Sequence, residues 1–250
     1  MTDRTETSPA TGGPAVAGIS AERALGSLVD LAPGAAALLE SYGLDYCCGG
    51  SQTLRDACAE AGVDPADVID ALGRLGVAPA PEWATMSPSQ LVDHLEATHH
   101  AYLRAELPRL EALAEKVAGV HGERHPELAR VRCTFGELRA DLEPHLLKEE
   151  RVLFPMVREL ATSVASPSFH CGSIANPISV MMREHELAGS LLADLRRLTD
   201  GYAVPDDGCA SYRALYDGLA ALEADTHLHV HKENNALFPA VVELEARLVT

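Results

Sequence analysis

The sequence predicts an all-α protein: a bundle of four long helices preceded by a small helical module. Three observations predict it. Helix start and stop signals run along the chain, convincing strand patterns are absent, and four long segments carry apolar residues at alternating steps of three and four. Those segments lie near 88–118, 127–160, 177–200 and 209–247. Their spacing is the seam of a bundle helix, and helices of this length pack side by side.

The elements follow in order. Residues 1–18, rich in Thr, Ser, Pro and Gly, read as a disordered tail with no apolar stretch of the secretory kind. Residues 19–78 form the small module. Ser20 is placed to cap a short helix, and Pro33 and Gly43 bracket the next. The Gly-flanked loop GLDYCCGG comes after it. Thr53 caps TLRDACAEA, with Asp56 as a short-armed capping-box acid and Gly62 at the end. Pro65 opens PADVIDALGRL. Residues 79–87 read as a linker, because the residue before each proline is biased away from helix. Ser87 and Pro88 supply an N-cap and a first-turn proline, and 88–250 is the bundle.

The net charge of −17, from 37 acidic and 20 basic residues, repels a phosphate backbone and an anionic lipid surface. Nucleic acid and membrane are therefore excluded as partners. No apolar run reaches 18 residues, so no membrane span is expected. Six scattered cysteines without a CxxC point to a reducing cytoplasmic compartment. Eleven histidines against one Trp and four Phe is the unusual feature, and metal sites use histidine in this way.

The seams carry the chemistry. His145 to Pro155 reads HLLKEERVLFP, and His229 to Pro239 reads HVHKENNALFP. The second seam runs Val131, Phe135, Leu138, Leu142, His145, Glu149, Val152, Met156. The fourth runs Leu215, Leu219, Leu222, Thr226, His229, Glu233, Leu237. The third and first carry His185 and His100 among Ile, Met, Leu, Ala and Val. Each seam is apolar except at a His or a His and a Glu. One buried His bonded to a backbone carbonyl is ordinary. Two His-x-x-x-Glu pairs and two single His on four facing helices are not, because an unpaired buried carboxylate costs several kcal/mol. A spacing of four stacks His and Glu on one helix face. Four His and two Glu can hold two ions between them, with the carboxylates bridging and an oxo or hydroxo bridge balancing the remaining charge. The donor set suits iron, with zinc and manganese as rivals.

Other residues compete or assist. The step pattern favours His100 over its neighbour His99. His94, His99, His121, His125, His170, His227 and His231 are expected to be solvated or to support ligands rather than to ligate. The Leu-Phe-Pro endings are expected to shield the site, with Pro155 and Pro239 removing a helix hydrogen bond each and kinking the helix. Pro144 is placed to bulge the chain beside His145. Cys47 and Cys48 are either a small buried pair in a tight turn or a thiol pair that serves the metal site. A disulfide between vicinal cysteines is strained and is not expected.

LDYCCGG and TLRDAC, then HHAYLRAELP, EPHLLKEERVLFP, PISVMMREHELAG and HKENNALFP, together resemble the RIC proteins (repair of iron centres, the YtfE and ScdA type), a hemerythrin-like di-iron family. The resemblance covers nearly everything after residue 18. It implies a hemerythrin-like four-helix bundle with a small N-terminal domain, holding two non-haem Fe ions on His100, His145, Glu149, His185, His229 and Glu233. It also implies repair of iron–sulfur clusters damaged by nitric oxide or peroxide, with damaged iron–sulfur proteins as partners and nitric oxide or oxygen as small ligands. A thiol role for Cys47 and Cys48 is expected within that reading. The alternatives are a di-iron nitric oxide reductase and an oxygen- or nitric oxide-binding sensor. The connection at 161–176, with His170 and Cys171, is longer than in compact members of the family.

Overall fold

The structure, a computed structural model, describes residues 19–32, 34–75, 81–165 and 167–249. The tail expected at 1–18, the Pro33 helix start and residues 79–80 of the expected linker lie outside them. Among the described residues the chain is helical, with only isolated bridges at Ala24–Thr53 and Phe169–Gly172. No helix there is long and apolar enough to cross a membrane.

Four short helices come first: α1 (Leu25–Val29), α2 (Ala35–Ser41), α3 (Leu54–Ala61) and α4 (Pro65–Arg74). The Thr53 hydroxyl accepts from the Asp56 N–H, and α3 ends at Gly62 in the left-handed region, φ 70°. Asp56 is too short to reach back to the Thr53 backbone and instead accepts from the Thr53 hydroxyl. Asp64 caps α4 ahead of Pro65. Ser20 does not cap α1, contrary to expectation; the N-cap is Ala24, with no side-chain bond. The orphan N–H of Leu25 is satisfied by the Gln52 carbonyl, and the Leu54 N–H by that of Arg23. One pairing of two helix starts replaces a side-chain cap.

The bundle helices are α5 (88–121), α6 (127–162), α7 (Ala175–Leu198) and α8 (210–249). A full capping box of Ser87 and Gln90 opens α5, and a 3-10 turn, Glu82–Thr85, lies in the expected linker. α5 and α7 each pack on α6 and α8, and the C-terminal segments of α6 (154–162) and α8 (238–249) pack on each other. α7 starts two residues ahead of the expected 177. The helix begins at Ala175, whose N–H bonds the Ser173 hydroxyl, and Asn176 donates to the Cys171 carbonyl. Glu245 at the end of α8 accepts from Ser173 and from the Ile174 N–H, which ties the long connection to the bundle.

Three π turns interrupt the long helices, at Glu96–His100 in α5, Glu149–Leu153 in α6 and Glu233–Leu237 in α8. They correct two expectations. Pro155 and Pro239 do not simply kink their helices: the turn before each closes by i to i+5 bonds, Phe154 N–H to Glu149 and Phe238 N–H to Glu233. Pro144 sits within regular helix, and the distortion comes at Glu149 instead. The extra residue also shifts the second seam. Val152, expected inside, is 39% exposed, whereas Leu153 is 1% exposed. The other seam positions are buried as expected.

Two apolar layers result. One is built of Leu103, Leu107, Phe135, Leu138, Leu192 and Leu219; the other of Leu91, Leu153, Phe154, Ile178, Leu237 and Phe238. A belt of His and Glu lies on the seams between them. The small module has its own core, and Val230 and Leu228 of α8 pack into it.

Candidate metal centre

Four helices each bring one or two polar side chains to the belt. α5 brings His100, α6 brings His145 and Glu149, α7 brings His185, and α8 brings His229 and Glu233; all six are buried. They fall into two overlapping groups, His100–Glu149–His229–Glu233 and His145–Glu149–His185–Glu233. In each group the donor atoms lie within 4.8 Å of one another, and both glutamates belong to both groups.

The oxygen-by-oxygen pattern is specific. Glu149 turns Oε2 to His100 Nε2 at 3.4 Å and Oε1 to His145 Nε2 at 3.3 Å. Glu233 turns Oε1 to His229 Nε2 at 3.3 Å and Oε2 to His185 Nε2 at 3.1 Å. Each carboxylate thus offers one oxygen to each group. Donors about 2.1 Å from an ion and at right angles to one another lie about 3 Å apart, close to these separations.

The hydrogen-bond inventory tests whether a metal fits. His100 Nε2, His229 Nε2 and all four oxygens of Glu149 and Glu233 are buried with no hydrogen-bond partner. Buried polar atoms are nearly always paired, and unpaired carboxylates in an apolar setting are costly. Cations placed between these atoms satisfy all of them at once, so the donor set fits a metal. The electrostatics agree. Burial and the charge of Glu233 push the Glu149 carboxyl up, but His145 and His100 outweigh them and the net direction is down. Burial likewise raises the Glu233 carboxyl, yet His229 and His185 hold it well below the usual range. Both groups are therefore held as carboxylates, the form that binds a cation.

The outer nitrogens fix the rings. His100 Nδ1–H donates to Glu150 at 2.7 Å, and Arg104 pairs with the same carboxylate. His145 Nδ1–H donates to Glu184 at 3.0 Å, which Lys148 also holds, and His185 Nδ1–H donates to Asn234 Oδ1 at 3.0 Å. Each bond leaves Nε2 free to face the centre. Sequence reasoning missed Glu150, Glu184 and Asn234. Each stands one residue from a ligand candidate and reaches a histidine on the neighbouring helix, a contact that its position in the sequence does not announce. Phe154 stacks on His100 with centroids 5.4 Å apart, and Phe238 on His185 at 6.0 Å. The Leu-Phe-Pro endings thus close the belt from below.

His99 is buried beside the site without joining either group. It stacks on His229 at 5.2 Å, donates from Nδ1 to Asp225 at 2.9 Å, and accepts from Lys232 Nζ at 2.7 Å. Lys232 also donates to His94 Nε2 at 2.9 Å. Burial holds the Lys232 ammonium down to about 8. His227 pairs with Glu40 at 3.1 Å, and His231 lies between Tyr46 and Asp30. His121 sits 3.2 Å from Cys209, at the start of α8. His170 is exposed in the long connection, while Cys171 is half-buried against the lower apolar layer. Cys47 and Cys48 are free thiols. They line the wall of a cavity of about 800 Å³ between the small module and α7–α8. The Cys47 carbonyl accepts from Asn235 at 3.1 Å and from Asn234 at 3.4 Å, so the loop backs onto the residue that orients His185.

Comparison with known proteins agrees with this geometry. Residues 91–241 match the hemerythrin HHE cation binding domain, and residues 21–76 match a domain of unknown function, DUF542. A probable iron-sulfur cluster repair protein of Haemophilus influenzae is 35% identical over 226 residues, covering 89% of this chain and 97% of its own. The iron-sulfur cluster repair protein YtfE of Musicola paradisiaca is 36% identical over 227 residues, 90% of this chain and 98% of its own. The protein of the same name from Escherichia coli O1:K1 / APEC is 36% identical over 220 residues, 87% and 96% respectively.

Proposed function

Because the chain belongs to the hemerythrin-like family of iron–sulfur cluster repair proteins, we propose that its buried belt holds two iron ions and that the protein repairs iron–sulfur clusters damaged by nitrosative or oxidative stress. The observation that carries the two-ion reading is the unpartnered set of Glu149 and Glu233 oxygens, one from each carboxylate turned to each histidine group. In this reading both glutamates bridge. His100 and His229 complete one ion's shell, and His145 and His185 the other's. When bound, iron supplies redox chemistry and an ion that can be given to a damaged cluster.

The chain's own residues set the conditions. Glu150, Glu184 and Asn234 hold three imidazoles with Nε2 directed inward. Phe154, Phe238, Leu153 and Leu237 keep water from the belt. Glu149 and Glu233 each open a π turn, where the hydrogen-bond ladder is longer and less regular, which favours carboxylates that can shift as an ion leaves. The partners in this reading are iron–sulfur proteins that have lost or nitrosylated iron. Nitric oxide and oxygen are the small ligands, and the setting is a reducing cytoplasm.

Metal analysis with Mössbauer spectroscopy on anaerobically purified protein tests the site: about two irons per chain in a coupled pair are expected, and a single ion sinks the reading. Repair is tested by adding the loaded protein to a nitric oxide-damaged iron–sulfur enzyme. Return of enzyme activity with loss of iron from the protein is expected. Turnover of nitric oxide to nitrous oxide with no reactivation assigns the site to nitric oxide reduction instead.

A further inference from the structure

A third group of donors lies outside the belt. Asp45, Cys47 and Cys48 each place a donor atom within 4.8 Å of the other two. The geometry points to a second metal site here, taking one thiophilic divalent cation of the zinc and ferrous-iron class on two thiolates and one carboxylate. It goes beyond the repair reading and stands whatever the buried belt does.

The separations fit such an ion. Cys47 Sγ and Cys48 Sγ are 4.0 Å apart. Thiolates about 2.3 Å from a tetrahedral ion lie about 3.8 Å apart, so the sulfurs are already near the required bite. Asp45 Oδ1 lies 3.1 Å from Cys47 Sγ, a few tenths of an ångström short of the distance across one tetrahedral edge. Binding forms two metal–sulfur bonds and one metal–oxygen bond, and the two thiol protons leave to solvent. Water reaches the fourth position from the cavity of about 800 Å³, whose wall includes half-buried Cys48 and the exposed Asp45, while Cys47 is buried against the module's core.

The triad is also held in place before any ion arrives. The Asp45 carboxylate accepts from the N–H groups of Cys47 and Cys48 at 3.0 and 2.9 Å. Asn235 of α8 fixes the Cys47 carbonyl from the other side. Neither following glycine has room for a side chain. A Cβ on Gly49 meets the Asp45 carbonyl at 2.7 Å, and one on Gly50 meets Asn235 Oδ1 at 2.3 Å. The cavity wall adds Glu40, Glu186 and Glu223 to the field around the thiols, with Arg196 and Arg197 opposing them. Two thiolates and a carboxylate prefer a borderline or soft cation over magnesium or calcium.

Cobalt(II) is the probe, because thiolate ligation gives a charge-transfer band that His and Glu ligands do not. Whole protein with its belt filled with iron is titrated with cobalt(II) under a phosphine reductant, with iron measured in parallel. One further equivalent and a thiolate band are expected, with iron content unchanged, and zinc should displace the cobalt. D45N should weaken cobalt binding at least tenfold, and C48S should abolish the band. Both positions are partly or fully exposed, so a matching thermal melt shows that the variants are folded. Absence of a thiolate band, or an extra equivalent that persists in a C47S/C48S double variant, overturns the site. Neither result bears on cluster repair, which is read by enzyme reactivation.

Discussion

His99 and His100 are adjacent, and both are buried, yet they do different work. His100 Nε2 faces Glu149 with no hydrogen-bond partner, whereas both nitrogens of His99 are taken by Asp225 and Lys232. H100A should therefore strip most of the iron, and H99A should lower it less, by metal analysis of the purified variants; the reverse order would place the site one residue out of register. The rings' outer partners make a milder prediction. Glu184→Gln leaves a weaker acceptor for His145 Nδ1–H and should reduce iron affinity by roughly 10–100-fold with the fold intact. Chelator competition reads this, and wild-type affinity would remove Glu184 from the site. A third residue lies far from the belt. The amide end of α8 at Tyr212 and Ser211, with the His121 ring 3.2 Å away, draws the Cys209 thiol down to about 7. Donors favour the thiolate, which is the reactive form, so alkylation should rise through a midpoint near pH 7 and level off above it. Peptide mass spectrometry should find Cys209 labelled ahead of exposed Cys133 at neutral pH. At this scale the six belt residues were legible, because polar groups on an apolar seam have few explanations. Glu150, Glu184 and Asn234 were not, since charged or amide residues beside a seam usually face water.

Helix boundaries in the bundle followed from caps and periodicity, but the π turns did not. A seam read at steps of three and four assumes 3.6 residues per turn throughout. It assigned Val152 to the core, and the turn at Glu149–Leu153 exchanges it for Leu153. The repeated proline was the available signal, read as a kink instead of the end of a widened turn. This gives a prediction for the element. Removing Val152 restores an ordinary turn length, so α6 should remain helical and its two apolar flanks should keep their faces. Glu149 then loses the displacement that the π turn supplies. Circular dichroism should stay near wild type while bound iron falls below half; full iron occupancy would mean that the π turn is dispensable for the site.

At the scale of the whole molecule, the small module and the bundle meet through α8. One face of that helix carries His229 and Glu233 to the belt. Another packs Val230 into the module's core and holds the Tyr46 and Cys47 carbonyls through Asn235. Sequence alone separated the two units at a proline-rich stretch and could not say how they dock. Docking depends on the match of two surfaces, and neither has a periodicity. Asn234 and Asn235, one orienting His185 and both touching the Cys47 carbonyl, make the loop and the belt neighbours. Gly50 is where this contact is tightest. A Cβ there would lie 2.3 Å from Asn235 Oδ1 and 2.5 Å from the Tyr46 carbonyl, and the second of these is backbone that cannot swing away. G50A should therefore destabilise the protein by about 1–3 kcal/mol, the usual cost of overpacking. The loss should fall on the junction: limited proteolysis should cut between 75 and 88 sooner than in wild type, and the released bundle should keep its iron. A G50A protein with unchanged melting and cleavage would show that the loop can move aside without disturbing the docked arrangement.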